Sequence, residues 1–222
     1  MNALEPLLPV LQTLEPLGLP EGALQGWYAY ANQKQAARLA GHMKVELGLI
    51  HKTFPAQVDH AYLRSDAFQA NVVQAVRAAE VAESEDKLHF IARALASCTL
   101  AFAAPTVDRF QTLRLIEAIS DRELRVFVEY FRGLDPISPF DDGVPVSTPF
   151  SVAGLSRQET STALLGLEQL GLLAKEPLPS QDDWVDRPGL AWKLTALARQ
   201  VAVLGRLNGH EDGPDLYEPG PF

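Results

Sequence analysis

Three histidines, His42, His51 and His60, recur nine residues apart, and Glu46 follows His42 by four. On one helix His42 and Glu46 share a face, so a metal-binding pair is the first chemistry to consider. Nine residues make about two and a half helical turns, which carries His51 to the side opposite His42. Pro55 breaks a helix before His60. The i, i+4 pair of ligand histidines found on zinc-binding helices is missing, so all three read as solvated or core residues and no metal site is assigned.

Cys98 lies among apolar residues with no histidine near it in sequence, and reads as a small buried hydrophobe rather than a nucleophile. As the single cysteine it leaves no intrachain disulfide, which fits a reducing compartment. Glu83, Glu85 and Asp86 read as the end of one helix and the start of the next. The chain has no glycine-rich phosphate loop, no G-x-S-x-G elbow and no cysteine pair for zinc. The expectation is a non-enzymatic protein without a cofactor.

These residues sit in a chain of 222 residues, 47% hydrophobic and 21% charged, which is enough to bury a core as one large domain or two small ones. Abundant alanine and leucine with few β-branched residues favour helix over sheet. The net charge is −9, and much of it lies after residue 207, where Glu211, Asp212, Asp215 and Glu218 occur with no lysine or arginine. Residues 208–222 are expected to form a disordered acidic tail. The balance argues against a generic nucleic-acid coat or a membrane-surface binder, each of which needs a basic excess. The apolar run at residues 94–104 is interrupted and ends at Pro105, too short to span a bilayer. No signal-peptide pattern is present, and a cytoplasmic location without membrane contact is expected.

The first twenty residues place Leu4, Leu7, Leu8, Leu11 and Leu14 at helical spacing and close at Pro16 and Pro20, a short amphipathic helix that packs on the body or on a partner. A long helix is expected over 21–53, closed by Phe54-Pro55, with Trp27, Tyr28 and Tyr30 beside small residues such as Ala37, Gly41 and Gly48. It reads equally as the centre of the monomer's bundle or as a homodimer interface. Ser65 and Ser84 are N-caps for the next two helices, the second running to a stop at Pro105. A further helix follows, and Ser120 with Glu123 then forms an S-x-x-E capping box that opens a helix ending at Gly133. Residues 134–149, rich in Pro, Gly, Asp and Ser, read as a linker.

After it come a short helix over 150–155, a second capping box at Ser156 and Glu159, and a helix over 157–170 closed by Gly171. Two short strands, 172–175 and 190–194, flank a polar loop, and Thr195 caps a final helix. The wording GLSRQETSTALLGLEQLGLLAKE at 154–176 and LAWKLTALARQVAVL at 190–204 resembles the helix-turn-helix, wing and closing helix of MarR-like bacterial winged-helix regulators. The resemblance spans residues 120–207 and implies a winged helix with a small β-hairpin over 150–207; helical spacing gives the helical domain over 1–133 and composition the linker over 134–149, so the expected fold is mainly α. The resemblance also implies a double-stranded DNA partner, read by Arg157, Gln158, Ser161, Thr162 and Gln169 on the recognition helix and by Lys175, Arg187 and Lys193 at the wing. Glu159, Glu176, Asp182, Asp183 and Asp186 crowd the same surface, and each opposes a phosphate. The competing expectation is a winged helix that contacts protein, as the same fold does in many systems.

Overall fold

The computed structural model describes residues 33–101, 107–134, 143–146, 148, 150–177 and 189–207. The leucine-rich segment, the aromatics Trp27, Tyr28 and Tyr30, the loop carrying Arg187 and the acidic tail lie outside the described residues. The fold is mainly helical with one small antiparallel sheet of three strands near the C-terminus. The chain divides into two compact units, residues 1–118 with 203–222, and residues 119–202. Among the described residues no helix is long and apolar enough to cross a membrane.

In the first unit α1 (Gln33–Thr53) ends where Phe54-Pro55 predicts, and a 3-10 turn and the short α2 (His60–Leu63) follow. Ser65 caps α3 (Asp66–Glu80) by accepting from the Phe68 N–H, and Ser84 caps α4 (Glu85–Ser97) by accepting from the Lys87 N–H. Such caps stabilise a helix by about 1 kcal/mol each, because the first-turn N–H groups have no partner within the helix. The α4 helix stops at Ser97, well short of Pro105. Tertiary pairing ends it: Leu100 bridges to Val58, and Asp59 and Ala101 exchange backbone bonds with Thr99 and Gln57. The backbone after Cys98 thus satisfies its groups across the chain instead of along it. Asp108 accepts from the Gln111 N–H at the start of α5 (Arg109–Ala118). The α1 helix packs on α4, and α3 on α5, around Leu39, Leu47, Ile50, Phe68, Leu88, Ile91, Leu113 and Ile116. Each such side chain contributes about 1.5–3 kcal/mol by leaving water.

The second unit opens with α6 (Asp121–Arg132), whose Ser120–Glu123 capping box is complete. Residues 143–145, inside the stretch expected to be a linker, form β1 (Gly143–Pro145). Contrary to expectation, residues 150–155 form no helix. Gly154 adopts a φ of 78°, a left-handed conformation that stops a right-handed helix, and residues 153–154 form a turn instead. Ser156 and Glu159 form the second complete capping box at the start of α7 (Arg157–Gln169). Gly171, at φ 73°, ends that helix: its N–H bonds the Glu168 carbonyl and the Leu172 N–H bonds Leu167, the Schellman pattern. Strands β2 (Leu173–Pro177) and β3 (Leu190–Leu194) follow, and the sheet order is β1-β3-β2. Thr195 caps α8 (Ala196–Leu204) by accepting from the Ala198 N–H, and that helix crosses the division between the units.

One side chain joins the helices of this unit to its sheet. Tyr130 on α6 is 1% exposed; its hydroxyl donates to the Trp192 carbonyl at 2.6 Å and accepts from the Val144 N–H at 3.2 Å. Its ring meets Phe150 edge-on at 5.4 Å. Replacing Tyr130 by Phe keeps the ring and removes both hydroxyl bonds, so we expect a loss of about 1–3 kcal/mol in urea unfolding. An unchanged midpoint and slope would show that the two bonds contribute nothing net.

Candidate functional site

The surface in question is built on α7, and α6 holds that helix in place. Arg122 on α6 pairs with Glu159 Oε1 at 3.1 Å, and Arg125 donates to the Ala153 carbonyl at 2.7 Å in the turn before α7. The Glu123 carboxylate lies so close over Gly166 that a side chain there would collide with it. Glu159 itself is held below the ordinary carboxylate range, first by the Ser156 N–H, then by its hydroxyl, then by Arg122. It therefore stays charged at the helix N-terminus, where negative charge is favourable.

Arg157, Gln158, Ser161 and Thr162 are all exposed on α7 and form one strip, which Leu165, 47% exposed, and Gln169 extend. The Thr162 hydroxyl donates to the Gln158 carbonyl at 2.9 Å, a local bond that leaves it able to accept from a partner. Arg157 forms no ion pair among the described residues.

The two lysines of the hairpin are differently placed. Lys175, on β2, reaches Glu168 Oε2 at 2.9 Å and lies 4.4 Å from the centre of the Trp192 ring. Lys193, on β3, meets Glu176 Oε2 at 3.3 Å. Both sit on the strands, and the intervening loop, with Arg187, lies outside the described residues. The sequence reading passed over Glu168 as a partner. The signal was available, since Gly171 reverses the chain and returns Lys175 past the last turn of α7. The Glu176–Lys193 pair follows from strand register: Lys193 faces Ala174, and Glu176 is two residues further along the same face of β2.

A second polar constellation lies in the first unit. Glu46, 2% exposed, accepts from His89 Nε2 at 2.7 Å and Arg93 Nε at 3.4 Å through Oε1, and its Oε2 pairs with Arg206. Arg206 takes a φ of 47°, unusual for a residue with a side chain. His42 meets Glu85 Oε1 at 2.5 Å, and Arg38 pairs with the same carboxylate. The face shared by His42 and Glu46 therefore meets α4, where each finds its own partner. The two imidazoles stack at 5.1 Å. Cys98 is fully buried and burial pushes its thiol up to about 12, so the thiolate needed for attack does not form near neutral pH.

No protein-family model, no curated protein and no solved structure matches this chain.

The stacked histidines make stability depend on pH. Burial, then the other imidazole, then Arg38 lower the His42 pKa below 6.5; burial and then Arg93 lower that of His89, against an opposing pull from Asp86. The folded state then binds these protons less readily than the unfolded state. Their contribution is complete above the unfolded value and is lost as pH falls from 6.5 through the lowered folded values. We expect the melting temperature to fall over that window, and less steeply in H42Q and H89Q. Parallel curves for wild type and both variants would contradict this assignment.

Proposed function

We propose that residues 119–202 form a winged-helix module that docks on a protein partner through the exposed strip of α7, within a non-enzymatic regulatory or assembly protein. The order helix, strand, turn, helix, hairpin and the sheet order β1-β3-β2 support the winged-helix reading. The observation that carries the choice of partner is charge compensation. Lys175 and Lys193 are engaged by Glu168 and Glu176, and Arg122 by Glu159, so three cations near a phosphate surface are already neutralised. The unit holds twelve Asp and Glu against eight Lys and Arg, a net charge of −4. DNA affinity rests on phosphate neutralisation, and here the surface offers little of it. The strip offers an apolar side chain instead, since Leu165 on α7 is 47% exposed. An exposed strip that carries one arginine, three uncharged polar side chains before Leu165 and no lysine has more the composition of a protein interface than of a phosphate-binding face.

Arg157 favours a second reading, in which the chain binds duplex DNA. It stands exposed at the start of α7, beside Gln158, Ser161 and Thr162, where a helix N-terminus also favours phosphate. A photoreactive amino acid at position 165 separates the two. In cells it should give one discrete protein adduct, which the same group at exposed Arg132 on α6 should not give. Adducts confined to nucleic acid would replace the leading proposal with the second.

A further inference from the structure

The outer side of α1 carries an apolar face that the described residues leave uncovered. Val45 is 59% exposed and Leu49 47%, and the positions of Gly41 and Gly48 open onto empty space. The exposed charges beside them are Lys44 and Lys52, while the one carboxylate of α1, Glu46, is buried on the inner side. The chain that precedes α1 has the complementary character. Residues 1–32 contain Glu5, Glu15 and Glu21 with no lysine, arginine or histidine, and their leucines recur at 4, 7, 8, 11 and 14.

We propose that residues 3–19 of the same chain occupy the face of α1 formed by Val45 and Leu49, with Glu5 and Glu15 set against Lys44 and Lys52. The connection is long enough. From Gln33 to Leu49 the helix rises about 24 Å at about 1.5 Å per residue. The residues between 19 and 33 span up to about 46 Å when extended, so the chain can turn back along α1. Covering Val45 and Leu49 removes apolar area from water, and burial of this kind drives such docking. A face in contact with its own chain is occupied at any protein concentration, which distinguishes this occupant from a second copy.

The single buried cysteine makes the test clean, because V45C adds the only accessible thiol to the full-length chain. Its reaction with 5,5′-dithiobis(2-nitrobenzoate) should be slow in V45C alone. In V45C/L8D/L11D it should be about tenfold faster or more, as expected when a local contact is opened. K44E/K52E in the V45C background should also speed it, by placing acids opposite Glu5 and Glu15. Should the leucine variant fail to fold, Cys98 would react as a second thiol, and the lysine variant then decides. Rates equal to within about twofold in the decisive pair would overturn the proposal. Protection that strengthens with protein concentration would overturn it too, by assigning the face to a second copy.

Discussion

The Tyr130 hydroxyl is the constraint on which the C-terminal unit depends. Strand β1 has three residues and β2 and β3 have five each, too little ladder to hold position unaided. By bonding the backbone of Val144 and Trp192 at once, Tyr130 fixes β1 and β3 against α6 from within the core. The same helix carries Arg122, Glu123 and Arg125, which set the position of α7 and of the turn before it. One helix thus anchors the sheet through a buried face and α7 through a polar one. The strip from Arg157 to Gln169 is presented by elements that share this single support.

The hairpin lysines follow from that arrangement. With α7 fixed on α6 and the Schellman turn at Gly171 closing it, β2 runs back past the helix end and Lys175 falls beside Glu168. Antiparallel register then places Lys193 beside Glu176. Half-exposed pairs of this kind add little stability, yet they alter what the surface offers a ligand. A phosphate must displace a carboxylate already in place, whereas a protein partner needs no free cation. Compensation of charge, more than any count of lysines, separates the two functional readings.

Much of the fold was legible because its signals are local. The caps at Ser65, Ser84, Ser120 and Ser156 and the stop at Gly171 each follow from a few adjacent residues. The failures have non-local causes. The α4 helix ends early because Leu100 finds Val58, a pairing across 42 residues. Strand β1 lies in a stretch whose composition predicts a linker, because its partners lie some fifty residues onward in β3. The site residues on α7 were placed by helical spacing alone, but the partners of Lys175 and Lys193 needed the turn and the register. The histidine network shows the same limit. Arg38, His42 and Glu46 recur every four residues on α1, as do Glu85, His89 and Arg93 on α4. The two stripes are complementary in charge order and meet at a constant offset of 47 residues, visible in sequence only to a reader who already knows that α1 packs on α4.

The unit's own carboxylates occupy its hairpin lysines, and duplex binding by E168Q/E176Q measures that occupancy. Both substitutions keep shape and remove charge, so they release Lys175 and Lys193 without disturbing the strands. By fluorescence anisotropy in about 50 mM salt, the double variant should bind a duplex about tenfold more tightly than wild type, a gain that disappears as salt rises. Tight duplex binding by the wild-type protein, unaltered in the double variant, would contradict the account.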